Sequence, residues 1–500
     1  GANAAENMST GTENVAIGQS AIGSGATTGN NNVAIGVQAG NSLTSANYNT
    51  LLGHSAGSAL TNGGYNVAIG GLALDAEDGH GANVAIGYAS LTNLNAGDSG
   101  HNVAVGYDSG KSMTTGVQNT LVGSAAGDAL TGGQENVAIG YNTLSGTQYA
   151  NYNVAIGKSS MSAAALSNKN VGVGVNTLAA LSQSSGTDTY NTAVGYNAGK
   201  LVSTGIENTL IGSLTGDALT TGIENTAIGF QALSVAQTSH ANVAIGHQSL
   251  AVQSADGYTF NTAVGYNSGQ QVTSGSQQVL IGAYAGDALT TGAQNVAIGY
   301  TALSAENTGN GAVAIGYKAL EDQDYDGTSY NVAVGYEAGK NINTGTQNTL
   351  IGAQAGDSLT TGTNNVAIGF EALATEDEHS FNVAVGHRAL KTQNAGASAY
   401  NTAVGYNAGL SVTTGIQNTL IGGLAGDALT SGSDNVAVGY HALSAEDGNG
   451  GNVAVGKFAL LSQNAGADAY NVAIGFEAGK TISTGVQNTI IGGLAGDALT

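Results

Sequence analysis

The chain has no cysteine, no proline and no tryptophan, and against 33 Asp and Glu it sets only ten Lys and Arg, a formal net charge of −23 over 500 residues. Each shortage removes a class of protein. Without cysteine there is no disulfide framework and no thiolate metal site. Ten scattered cations form no patch for nucleic acid or an anionic membrane. No apolar run approaches the ~18 residues of a membrane-spanning helix. Charged residues make up only 9% of the chain, whereas Gly contributes 80 residues and hydrophobic types 41%. A chain this apolar can fold, and one this rich in Gly is either low-complexity or built of repeats.

Periodicity decides for repeats. A pentapeptide of Asn, Val or Thr, usually Ala, Ile or Val, and Gly occurs 28 times between Asn14 and Asn488, mostly at intervals of 17. Its first residue is Asn except at Gln278 and Ala312, and its fifth is always Gly. A longer period overlies this one: Asn191, Asn261, Asn331, Asn401 and Asn471 are successively 70 apart. Leu210, Leu280, Leu350, Leu420 and Ile490 replace the third-position Ala at the same interval, and Tyr190, Phe260, Tyr330, Tyr400 and Tyr470 precede each block. Residues 1–500 therefore read as one continuous solenoid of 28 coils in four-coil blocks of 70 residues, with nothing non-repetitive left for a second domain.

Seventeen residues are too few for a helical hairpin or a βαβ unit but suit one rung of a parallel β-solenoid. Counting from the Asn, positions 2 to 4 read as a strand and the position-5 Gly as a corner needing positive φ or close backbone approach. Position 8, always Ala, Ser or Thr, suggests a second short strand packed on the first. Stacked at ~4.8 Å, 28 rungs would span about 130 Å. The Asn column is expected to bond its amides to the turn and to the next rung. Lys111, Lys200, Lys340 and Lys480 each precede Asp128, Asp217, Asp357 and Asp497 by 17 residues, one rung, so these pairs are expected to touch.

Positions 2, 3 and 4 are all apolar, as in Val67, Ala68 and Ile69, and successive strand residues face opposite sides. Both sides of the strand should therefore be buried. The expectation is Val and Ile columns inside a slim roll, with the Ala and Leu row of position 3 hidden by sister chains in a parallel homotrimer.

The Asn-Val-Ala-Ile-Gly repeat, with a small residue three places after its Gly, resembles the YadA-like head repeats of trimeric autotransporter adhesins. Blocks such as Asn191–Gly199 are similar to repeats of bacteriophage fibre proteins. The resemblance implies a left-handed trimeric β-roll with extracellular or virion-surface exposure. It carries the expectation of a non-enzymatic shaft that spaces a distal receptor-binding tip, first of all in a phage tail fibre. The alternative is a bacterial surface adhesin or filament whose repeat surface itself binds a host matrix or glycan. Blocks equivalent to the last one continue into a turn at Thr221–Gly222, Thr291–Gly292 and Thr361–Gly362, so the fibre is expected to run on past Thr500.

Residues with chemistry are sparse. There is no phosphate-binding Gly loop, EF-hand or His-Glu-x-x-His motif. No catalytic, cofactor or metal residue is assigned. His247 and His387 share a coil position eight rungs apart, too far to share one ligand sphere within a chain, and read as surface or packing residues. The Asp column from Asp128 to Asp497 reads as turn capping rather than calcium ligation, and the Tyr and Phe marks as a surface rim rather than a sugar platform.

Overall fold

Each pentapeptide forms a three-residue strand over positions 2 to 4, from Val15–Ile17 to Thr489–Ile491. The computed structural model describes residues 1–23, 26–97, 99–146 and 148–500. They form two units: Gly1–Gln248 with Ser254–Tyr258, and Ser249–Gln253 with Thr259–Thr500. In the first, the strands from Val15–Ile17 to Val243–Ile245 stack rung on rung, all parallel, with pentapeptide matched to pentapeptide as in Thr192↔Thr209 and Ala193↔Leu210. The second repeats the arrangement from Thr262–Val264 to Thr489–Ile491, as in Thr349↔Val366 and Leu350↔Ala367. No helix occurs among the described residues. The fold is an all-β parallel β-solenoid of 28 coils of about 17 residues, compatible with a β-roll.

The position-5 glycine meets both demands read from the sequence. At Gly212 φ is +135°, and a Cβ there would lie 2.5 Å from the carbonyl oxygen of Gly229, its counterpart one rung on. Only Gly tolerates that conformation and that approach together.

The two strand faces are the reverse of the sequence expectation. Position 3 points into the chain's own interior: Ala68, Leu121, Leu210 and Leu350 are fully buried. Positions 2 and 4 point outward and stay half-exposed, with Ile281 at 38% and Ile421 at 40% even though rungs cover them above and below. The reason is room. Positions 8, 9 and 12 of the same coil, such as Ala232, Leu233 and Ala236, also fill the interior, which leaves space at position 3 for Ala.

The four-coil block follows from the same volume constraint. Position 9 runs Gly199, Gly216, Leu233, Leu250, and the one Leu at position 3, Leu210, lies where the glycines leave space. A Cβ on Gly199 would lie 2.7 Å from Leu210 Cδ1, and one on Gly216 2.9 Å from its Cδ2. Leucine from one wall or the other thus fills each level of the core at close-packed density.

Position 8 is a turn, not a second strand. Positions 6 to 11 form consecutive turns in which positions 7 and 9 take left-handed backbone, as at Leu214 (φ 56°) and Leu233 (φ 54°). For non-Gly residues this costs roughly 1–2 kcal/mol each. The cost is offset because the turns are themselves laddered: Leu214 N–H donates to the Tyr196 carbonyl at 2.8 Å, and Gly216 N–H to that of Ala232 at 3.0 Å. Small hydroxyls at position 8 join in, Ser249 Oγ donating to the Ala263 carbonyl at 2.9 Å and Ser109 Oγ to that of Leu121 at 3.0 Å.

The Asn column forms the expected ladder. Asn225 N–H and Nδ2 both donate to Asn208 Oδ1 at 3.1 Å, and Asn225 Nδ2 also donates to the Ser239 carbonyl across the coil at 2.9 Å. Gln278 extends the ladder through its longer arm, accepting from Asn295 N–H at 3.1 Å, while Ala312 receives a bond from its backbone N–H but offers no side-chain acceptor to the next rung.

Candidate functional site

Three features could carry function. The first is the outward strand face. Positions 17, 2, 4 and 6 alternate toward solvent, giving aromatic, aliphatic, aliphatic and aromatic columns side by side. Tyr330, Tyr336, Ile351, Tyr400 and Val404 are all exposed in the second unit. The position-6 rings pile on one another: Tyr300–Tyr317 and Tyr317–Tyr336 centroids lie 5.6 and 5.1 Å apart. His247 and His387 belong to this column, stacked on Phe230 at 5.3 Å and Phe370 at 5.4 Å. They are ring-packing residues, as the sequence reading held, and so are the block-marking Tyr190 and Tyr470 exposed rim residues.

The forecast ion pairs do not form. Lys111 Nζ lies 3.0 Å from Asp108 Oδ2 and Lys480 Nζ 3.2 Å from Glu477 Oε2, each within its own turn. Among the described residues no lysine of the four pairs an Asp one rung on. The left-handed residue at position 7 sets its acid beside the position-10 lysine. The Asp of the following coil instead folds onto the backbone of its own turn, half-buried, and burial pushes the carboxyls of Asp128, Asp217 and Asp287 up, and that of Asp357 to about 6. Turn capping is what this column does.

The second feature was not read from the sequence. At position 12, where coils carry core residues such as Leu359, Val412 and Leu429, four third coils carry Glu77, Glu306, Glu376 and Glu446, all fully buried. In each, Oε1 accepts the position-15 backbone N–H: His80 at 2.9 Å, Gly309 at 2.7 Å, His379 at 3.3 Å and Asn449 at 3.2 Å. Burial raises all four carboxyl pKa values, against the lowering effect of these hydrogen bonds. Glu306 is further served by Gln323 Nε2 at 2.9 Å, and Gln323 Oε1 accepts from Asn331 at 2.8 Å. The signal was available: an acid in a column otherwise apolar at the same register. In two of these turns a histidine joins, with His80 Nδ1 3.1 Å from Glu77 Oε1 and His379 Nδ1 2.5 Å from Glu376 Oε1.

The third feature is an open hollow of about 370 Å³ in the first unit, between Asn47, Tyr48, Asn62, Tyr65 and His80, where Gly63, Gly64, Gly79 and Gly81 leave room. The rings of Tyr48 and Tyr65 stack along it at 5.2 Å.

Comparison with protein-family models, curated proteins and solved structures finds no match to this chain. No described helix is long and apolar enough to cross a membrane.

Proposed function

We propose that the chain is a non-enzymatic structural shaft, the stacked portion of a trimeric extracellular or virion-borne fibre such as a phage tail fibre, which spaces a distal receptor-binding tip. One observation supports this above the others: in each unit the strand face turned away from the core is apolar at every outward position, rung after rung. A stack of fourteen rungs presents that face for about 60 Å. An apolar strip of this extent exceeds what monomers ordinarily leave in water. A copy of the same chain in the same direction matches it at every level, because the columns repeat at the rung spacing. Three copies around one axis give each strip two neighbours. The rest of the surface is acidic, which keeps assembled fibres apart.

The test is the mass of the full chain in solution. The expected value is three times the chain's 48.9 kDa. Replacing the outward Ile351 and Ile421 with Glu should reduce it to that of one chain or leave the protein unfolded. On an isolated solenoid such outward changes would alter stability by only about 0.5 kcal/mol. A wild-type monomer that tolerates both changes would refute the trimer.

A second reading, a repeat surface that itself binds a glycan of a host or matrix, is favoured by the hollow beside Tyr48 and Tyr65. Stacked rings flanked by Asn amides suit the apolar and hydroxyl faces of a sugar.

A further inference from the structure

All four buried glutamates close the same turn, so the carboxylate alone has a structural explanation. Two of the turns carry more. Glu77-Asp78-Gly79-His80 and Glu376-Asp377-Glu378-His379 place a buried carboxylate, an exposed carboxylate and an imidazole at positions 12, 13 and 15. In each group one ligand atom per residue lies within 4.8 Å of the others. His80 Nδ1 is 3.1 Å from Glu77 Oε1 and 4.0 Å from Asp78 Oδ1; His379 Nδ1 is 2.5 Å from Glu376 Oε1 and 3.9 Å from Asp377 Oδ1. Two ligands each about 2.0–2.2 Å from one zinc ion lie roughly 3.0–3.5 Å apart. The His–Glu separation already matches such an edge in the first group, and the exposed Asp has only to swing inward.

A second observation points the same way. Glu77 and Glu376 have fully buried side chains, yet Oε2 of each has no hydrogen-bond partner. A buried carboxylate oxygen without a partner is rare enough to require a cause. Glu446 shares that trait, but Asn449 stands where the other two turns have His. That third turn has the same carboxylate closure without the nitrogen ligand, and serves as a control within the chain.

We propose that Glu77, Asp78 and His80, and Glu376, Asp377 and His379, form two sites for a divalent transition metal of the zinc type, one in each unit. An imidazole with two carboxylates selects such an ion over calcium or magnesium, which prefer all-oxygen sites. Water completes the coordination. The ion replaces the shared proton between His Nδ1 and Glu Oε1, so binding releases a proton and weakens in acid. It also neutralises a carboxylate held out of water and ties position 12 to position 15 of the turn.

The experiment uses the full chain stripped with a chelator and titrated calorimetrically with ZnCl₂ and, separately, CaCl₂. Two zinc ions per chain are expected, and no calcium at the same concentration. His80→Asn or His379→Asn should each leave one, and the double variant none. Asn449 shows that the turn accepts Asn, so these variants should keep the wild-type circular dichroism. Glu77→Gln with Glu376→Gln, which retains an acceptor for the position-15 N–H, should weaken zinc binding at least tenfold. Zinc stoichiometry unchanged in the double histidine variant, zinc binding indifferent to the Gln pair, calcium preferred to zinc, or no zinc uptake by the wild type would each overturn the proposal.

Discussion

Leu350 reaches between Gly339 and Gly356, where added Cβ atoms would sit 2.6 and 2.8 Å from its two methyl carbons. Three residues, scattered over 18 positions of sequence, thus occupy one level of core. Leu350→Ala should open a cavity that the neighbouring glycines cannot fill, at a cost of about 2–5 kcal/mol in denaturant unfolding. Gly356→Ala should also destabilise, by about 1–3 kcal/mol, because the leucine must move. The Gly, Gly, Leu, Leu order of position 9 and the single Leu of position 3 were both legible as periodic marks. Their pairing was not, since sequence shows which columns alternate but not which columns face one another. The buried position-12 glutamates escaped notice for the opposite reason. They break a column, and attention to what recurs passes over what interrupts it.

At the scale of the coil, the strand, the glycine corner and the Asn ladder could all be read beforehand, because each depends on local sterics or on a residue that recurs at every rung. The inside-outside assignment of the strand could not. Val and Ile are the larger residues and were assigned to the core, but a coil this narrow fills its interior from the turn side and admits Ala from the strand side. The turn itself was misread as a strand because its backbone needs left-handed residues, and here Leu, Asn, Glu and Gln occupy those places as well as Gly. Neighbouring rungs hold them there by hydrogen bonds, a constraint that sequence propensity does not carry. The ladder gives a direct prediction. Asn365 accepts from the Asn382 N–H at 2.9 Å and donates to the His379 carbonyl at 2.9 Å. Asn365→Ala should cost about 1–3 kcal/mol, with hydrogen exchange at Asn382 quickening before that of distant rungs. An effect spread evenly over the unit would show that the ladder is not a local clamp.

For the molecule as a whole, half-buried acids set the response to pH. Burial raises the carboxyls of Asp128, Asp217, Asp287, Asp357, Glu306 and Glu446, with Asp357 moved from 3.8 to about 6. A carboxyl whose pKa is higher folded than unfolded stabilises the fold fully below the unfolded value, and that contribution disappears as pH rises through the folded value. The protein should therefore resist urea better at pH 5 than at pH 7.5, and relief of the −23 charge acts in the same direction. Asp188 and Glu371, lowered by Lys169 and by Lys391 with Arg388, oppose this only at lower pH, where they become protonated. Asp357→Asn should raise the urea midpoint at pH 7.5 and shrink the gap between the two pH values. A midpoint that climbs with pH would contradict the burial of these groups.

The matched register of the blocks has a genetic consequence. Excising residues 331–400 would set Tyr330 before Asn401, the place Tyr400 already holds, and every rung on either side would meet a neighbour of the kind it had before. Unequal crossing-over between such blocks lengthens or shortens the gene product by whole blocks without creating a foreign junction, so reach can be tuned by inheritance while the chemistry of each level stays constant.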